Sequence, residues 1–166
     1  IRASRLHPKE TIQVFFRPVF HILTSSLTDN GEFSLYVTEL DMKKAILNFP
    51  VLVEEGFRPT SSEKELGESG FVDVFGEDAN GNFVIVEIKR GLVGKEAVIQ
   101  LERYVKAVKK KVNRPVRGIL VAPEIQKEAQ FMLATRNLEF KPLTPKKCYE
   151  SLKVERKKRL DEFLAI

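Results

Sequence analysis

The sequence predicts an α/β domain whose central mixed β-sheet is flanked by helices. Three observations carry this expectation. Gly70–Glu77 and Asn82–Arg90 are apolar, β-branched runs joined by the turn signal Asp78-Ala79-Asn80-Gly81, and they read as a hairpin. Gly94–Val112 follows with Ala97, Leu101, Val105, Val108 and Val112 on one helical stripe. The rest of the chain alternates: an apolar strand at Val116–Ala122, a helix at Glu124–Thr135 opened by Pro123, and a last strand at Leu138–Leu143. The hairpin makes two neighbouring strands antiparallel, so the sheet is mixed.

The segment ahead of this core is less regular. Residues 1–36 read as an extended arm, with Thr11–Phe16 and Val19–Leu27 as strand-like runs, Pro18 between them, and Asp29-Asn30-Gly31 as a turn. This arm is expected to be a linker or the end of another domain, and the opening on Ile1 instead of Met is what a fragment of a longer protein would show. Thr38 is placed to cap a helix. Leu40, Ala45, Ile46 and Leu47 follow near helical spacing, and Pro50 stops it. Gly56–Glu65 reads as extended. Pro142 and Pro145 are expected to close the compact part, giving a domain over 37–145 and a basic tail over 146–166 with an apolar end.

Composition narrows the function. The chain has 166 residues, of which 43% are hydrophobic and 31% charged, which suits one globular domain with an arm. No apolar run reaches the roughly 18 residues a membrane span needs, and no secretory leader is visible. One cysteine, Cys148, and two histidines, His7 and His21, exclude an internal disulfide and a cysteine-built zinc site. A cytoplasmic, reducing setting follows as the expectation. The net charge is +5, with a pI near 9.3, which points to an anionic partner, nucleic acid first, or to a solvated basic surface.

Three charges sit inside the apolar hairpin strands: Asp73, Glu87 and Lys89. A charge at a strand centre costs several kcal/mol unless it is paired or binds a metal. Register decides whether they meet. Asp78 suits the first position of a type I turn and Gly81 the left-handed position after it. The loop Ala79-Asn80-Gly81 then pairs residue 78 with 82, and hence Asp73 with Glu87, with Cβ atoms about 5 Å apart. Lys89 shares the face of Glu87, and the Ile88 carbonyl can turn toward the same point. Two facing carboxylates suit Mg²⁺, which binds through one or two carboxylates and substrate phosphate. With Lys89 to hold or deprotonate a water, the set is equipped for metal-assisted attack on a phosphodiester. A salt bridge that merely stabilises the hairpin is the alternative.

These residues match the pattern of the PD-(D/E)xK nuclease superfamily. More specifically, Thr38 to Pro145 resembles the catalytic domain of the NucS (EndoMS) family of RecB-like mismatch endonucleases. Thr38-Glu39-Leu40-Asp41-Met42 and Glu55-Gly56-Phe57-Arg58-Pro59 are similar to that family's first helix and following strand. Gly70-Phe71-Val72-Asp73 and Glu87-Ile88-Lys89-Arg90-Gly91 are similar to its core. Gln100 and Tyr104 resemble its Gln-x-x-x-Tyr signature, and Arg117–Pro123 the next strand. The resemblance implies a PD-(D/E)xK fold and a Mg²⁺- or Mn²⁺-dependent DNA endonuclease acting in repair. It implies metal binding by Asp73 and Glu87, beside which the Ile88 carbonyl is a further candidate ligand from the strand geometry, catalysis by Lys89, an additional acid in Glu39, and support or backbone contact by Gln100 and Tyr104. It also implies a homodimeric full-length protein whose N-terminal domain reads mismatches. The alternatives are a junction resolvase or restriction-like nuclease, and a non-catalytic module that binds DNA or a clamp.

Arg90, Lys106, Lys109 and Lys110 are candidate DNA-backbone contacts. The last three are equally explained as compensation of a helix C-terminus. In the tail, Lys157-x-x-Leu160-x-x-Phe163-Leu164 is similar to the clamp-binding peptide of replication proteins, although that motif starts with Gln and ends in two aromatics. Leu160, Phe163 and Leu164 are therefore candidate anchors for a sliding clamp, with packing on the parent domain as the alternative.

Overall fold

The structure is a computed structural model. It describes the backbone of residues 2–5, 10–13, 34–35, 37–66 and 70–164, and the side chains of residues 37–62, 66 and 70–154. The chain divides into two compact units, Ile1–Tyr36 and Val37–Ile166.

The first unit holds three short strands, β1 (Arg2–Arg5), β2 (Glu10–Gln13) and β3 (Ser34–Leu35), in an antiparallel sheet of order β2-β1-β3. The strand expected at Thr11–Phe16 thus begins at Glu10 and is described as far as Gln13. Val19–Leu27 and the Asp29-Asn30-Gly31 turn lie outside the described residues.

The second unit begins with α1 (Glu39–Asn48). Thr38 caps it as the sequence indicates. Its hydroxyl accepts from the Asp41 N–H at 3.1 Å, while Asp41 accepts from the Thr38 N–H at 3.0 Å. Pro50–Leu52 follows as a single 3-10 turn. Then come β4 (Arg58–Glu65), β5 (Phe71–Glu77), β6 (Phe83–Ile88), α2 (Lys95–Lys109), β7 (Val116–Ala122), α3 (Lys127–Thr135), β8 (Glu139–Pro142) and α4 (Pro145–Leu164). The five strands β4 to β8 are ordered in sequence. The first three are antiparallel and the last three parallel, so the sheet is mixed as expected.

The two faces of the sheet bury separate cores. Val84, Val86 and Ile88 of β6 pack with Met42, Ile46, Leu143 and Cys148, on the side of α1 and α4. Ile85 packs on the other side with Phe75, Leu101, Val105, Leu120 and Leu133, under α2 and α3. Alternation along β6 therefore turns Glu87 toward the α2 side.

Several boundaries differ from the sequence reading, and two of them have a cause in the structure. α3 starts at Lys127, because Ile125 bridges to Val93 and the Gln126 N–H bonds the Val93 carbonyl at 3.0 Å, holding the preceding residues extended. The larger difference is at the C-terminus. The compact part does not close at Pro145. Pro145 instead opens α4, and Cys148 is fully buried, with Tyr149 and Leu152 against the α1 core. Pro at a first helical position is already suited to the turn, so it starts the helix instead of ending the fold. Among the described residues, no helix is long and apolar enough to cross a membrane.

Candidate active site

The hairpin is fixed at its turn by one aspartate. Asp78 Oδ1 accepts the N–H groups of Asn80 and Asn82, both at 2.9 Å, and Oδ2 accepts Asn82 Nδ2 at 2.9 Å. The Gly81 N–H closes the turn on the Asp78 carbonyl at 3.1 Å, with Gly81 at φ 79°, a left-handed value that costs glycine little. Arg117, from β7, spans the turn and its surroundings. Its guanidinium donates to Asp78 Oδ2 at 2.9 Å, to both oxygens of Glu54 at 2.8 and 2.9 Å, and to both oxygens of Glu139 at 2.9 and 2.7 Å. Burial alone would raise the Asp78 carboxyl, but the bonds from Asn82, Arg117 and Asn80 outweigh it and hold it down at about 2.

This turn sets the expected register: Glu77 pairs with Phe83, Gly76 with Val84, Phe75 with Ile85 and Val74 with Val86. The paired register ends one step short of the expected Asp73–Glu87 pair, but the two carboxylates are near enough for the Asp73 charge to act on Glu87. The ladder itself stops at Val74, and the Asp73 side chain takes over. Its Oδ2 accepts the Ile88 N–H at 2.9 Å, where a backbone carbonyl would otherwise bond. Lys89 Nζ lies 2.7 Å from Glu87 Oε1. Glu39, at the start of α1, reaches the far end of the hairpin and accepts the Arg90 N–H at 3.1 Å.

Burial dominates the electrostatics here. The Glu87 residue is 1% exposed, and its Oε2 has no hydrogen-bond partner. Desolvation first, then the Asp73 charge and more weakly that of Glu39, push its carboxyl up to about 7 against the pull of Lys89. Burial pulls Lys89 down, but its bond to Glu87 and the charges of Glu87, Glu39 and Asp73 win, so its ammonium is held above its ordinary value.

A cleft of about 290 Å³ is lined by Glu39, Lys89, Gly91, Leu92, Val93, Gly94, Glu96, Ala97 and Gln100. Three of the expected site residues thus share one opening. Gln100 Nε2 donates to Tyr104 Oη at 2.8 Å, one turn further along α2, while Tyr104 itself is 3% exposed. Tyr104 is a support beneath Gln100. A larger hollow of about 500 Å³, between Lys95 and α3, contains none of the expected site residues.

Arg90, Lys106, Lys109 and Lys110 are exposed. Lys106 pairs with Glu102 one turn earlier on α2 at 2.8 Å, an arrangement that serves the helix. Leu160, Phe163 and Leu164 fall on helical backbone in α4, and their side chains lie outside the described set.

One member of the site was missed by sequence reasoning. Lys43 Nζ lies 3.4 Å from Asp73 Oδ1. The available signal was its spacing of four from Glu39, which puts both on one face of α1.

The donor set fits a hard divalent cation. Among the described residues, no three His, Cys, Asp or Glu side chains gather as a cage. What is present is a pair of carboxylates, one carrying a buried oxygen without a partner. An orphaned acceptor at such a place is costly unless something binds it. Mg²⁺ and Mn²⁺ suit two carboxylates completed by water and phosphate.

A mixed five-stranded sheet, a helix bearing an acid ahead of it, and Asp and Glu-x-Lys on its central hairpin define the PD-(D/E)xK nuclease fold. Residues 38–162 match the model of the endonuclease NucS C-terminal domain, and the chain belongs to that family. It is 37% identical over 163 residues to Endonuclease NucS of Pyrococcus horikoshii, covering 98% of this chain and 64% of that protein. It is 40% identical over 151 residues to Endonuclease NucS of Methanopyrus kandleri, covering 87% of this chain and 57% of that protein. Among solved structures, an EndoMS–dsDNA complex is similar with a TM-score of 0.64 and 33% identity, over 87% of this chain and 60% of that one. A repair endonuclease from Pyrococcus abyssi is similar with a TM-score of 0.63 and 40% identity, over 68% of this chain and 49% of that one. The chain thus spans less than two thirds of the length of these relatives.

Proposed function

We propose that this chain is the catalytic part of a DNA repair endonuclease that hydrolyses phosphodiester bonds with Mg²⁺ or Mn²⁺. The observation that carries the reading is the pair Asp73 and Glu87 with an unpartnered buried oxygen on Glu87 and the Lys89 ammonium on its other oxygen. Asp73, Glu87 and the Ile88 carbonyl would hold the cation, which when bound supplies a Lewis acid for the phosphoryl oxygens.

The other residues position. Lys89, its ammonium held above its ordinary value by Glu87, donates to a phosphate oxygen or orients a water. Glu39 pins the backbone at Arg90 where the strand leaves the sheet. Gln100 faces the cleft and Tyr104 fixes its orientation. Arg90, Lys106, Lys109 and Lys110 offer charge to the DNA backbone, which gives affinity without sequence choice. Selection among DNA structures we assign to the full-length protein, which we infer to be a cytoplasmic homodimer. Leu160, Phe163 and Leu164 remain our candidate anchors for a sliding clamp. Phe163→Ala should cost about 2 kcal/mol of clamp affinity, the usual size for a buried aromatic anchor, and unchanged affinity removes that assignment.

The test is cleavage of supercoiled plasmid and of mismatched and perfect duplexes in Mg²⁺, Mn²⁺ or chelator. Wild-type chain should nick DNA only with the cations. Asp73→Ala and Lys89→Met should each lose activity by a factor on the order of a hundred or more, as for groups that act on developing charge. Cleavage at the wild-type rate by Asp73→Ala rejects the site.

A further inference from the structure

Lys43 stands where the Asp and Glu-x-Lys pattern asks for no residue. It lies one helical turn after Glu39 on α1, is 9% exposed, and brings Nζ to 3.4 Å from Asp73 Oδ1. The other oxygen of that carboxylate is already engaged by the Ile88 N–H at 2.9 Å. Oδ1 is therefore the oxygen Asp73 has left to offer a cation, and an ammonium is set against it.

The position is not that of a solvated surface lysine. Lys44, the next residue, is exposed, whereas Lys43 is drawn in beside the core residue Met42. A buried ammonium is retained only against a counter-charge. One counter-charge here is Asp73, a member of a pair of carboxylates that repel each other. Lys43 on Asp73 and Lys89 on Glu87 set one ammonium against each carboxylate from within the chain.

We propose that Lys43 is a built-in counter-cation of the metal site: it occupies Asp73 in the cation-free chain, and a divalent ion must displace it to bind. The proposal rests on the reading of Asp73 and Glu87 as a cation-binding pair. Binding then becomes an exchange. The ion loses affinity to the broken Lys43–Asp73 contact and to repulsion by the ammonium that stays nearby. Lys43 thereby sets how much free cation the site requires.

The test measures metal binding without DNA. Mn²⁺ is titrated into wild-type chain, Lys43→Met and Asp73→Ala, and free Mn²⁺ is followed by electron paramagnetic resonance. Lys43→Met should bind about tenfold more tightly than wild type, the least that one charge within a few ångströms changes at a carboxylate. Its melting temperature without cation should fall below wild type and recover at saturating Mn²⁺. Unchanged or weaker Mn²⁺ affinity in Lys43→Met overturns the proposal, since a lysine that only supports the fold gives that result. Wild-type chain that binds no Mn²⁺, or binds it equally well as Asp73→Ala, overturns the reading of the carboxylate pair and this proposal with it. Should Lys43→Met not fold, the wild-type chain supplies the second measurement. The ε-methylene carbon resonance of Lys43, identified by its absence in Lys43→Arg, should shift at saturating Mg²⁺. A resonance unmoved by Mg²⁺ overturns the exchange.

Discussion

Replacing Glu87 by Gln should change the stability of the cation-free chain in a way that depends on pH. The carboxyl has an ordinary value of 4.5 and is pushed up to about 7 in the fold, by burial first and by Asp73 second. Between those values the folded chain holds the proton and the unfolded chain does not, so stability contributed by the neutral group falls as pH rises through about 7. Moving a carboxyl from 4.5 to about 7 corresponds to a ceiling of about 3 kcal/mol, at about 1.4 kcal/mol per pH unit. The side chain is 2% exposed, so solvent screening takes little of this. Gln keeps the volume and an acceptor for Lys89 but cannot ionise. Urea unfolding in chelator should therefore give similar stabilities at pH 5. At pH 8 the variant should be more stable by about 2–3 kcal/mol. Other titrating groups are shared and cancel in the difference. Added Mg²⁺ at pH 8 should stabilise wild type and leave the variant unmoved. A wild-type–variant difference that is the same at pH 5 and pH 8 refutes the argument that Glu87 carries a buried charge at a cost.

Three further outcomes follow from the same geometry. Arg117→Leu leaves Asp78 buried without its guanidinium and separates Glu54 and Glu139 from their cation. It should cost about 2–4 kcal/mol in urea unfolding, and a loss below about 0.5 kcal/mol contradicts the bridging role. Gly118→Ala puts a methyl 2.6 Å from Val105 and 2.8 Å from Leu138, where α2 meets the sheet. It should lose about 1–3 kcal/mol, measured by thermal unfolding, and a neutral result would show that α2 can move aside. Burial pushes the Cys148 thiol up to about 11, so a thiol reagent at pH 7.5 should label it only after denaturation. Prompt labelling of the native chain would mean that the start of α4 opens.

What was legible in the sequence was local chemistry. Asp78 and Gly81 announce their turn, the turn sets the register, and the register brings Asp73 near Glu87. Each step spans few residues and follows fixed geometry. Two long-range features were not legible. The role of Asp78 as a buried anion needs Arg117, 39 residues further on, and nothing in their spacing joins them. The docking of α4 was hidden by its composition. Cys148, Tyr149 and Leu152 lie on one helical stripe, but basic residues around them make the segment read as a solvated tail. Lys43 falls between these cases. Its spacing from Glu39 is local, but its partner is on a strand that only the fold brings near.

The contact between α1 and α4 has a consequence for how the molecule comes to be folded. It joins the first helix of the unit to its last, across every strand of the sheet, and closes nearly the whole unit as a loop. Such a contact forms after the local ones, because its closure entropy is spent before its packing is gained. The sheet and α2 can assemble from near neighbours in sequence. Met42 and Ile46 find Cys148 only when α4 arrives. The helix that carries Glu39 and Lys43 also packs on Val84, Val86 and Ile88 of β6, so α4 closes over a seat that the hairpin has already begun to form.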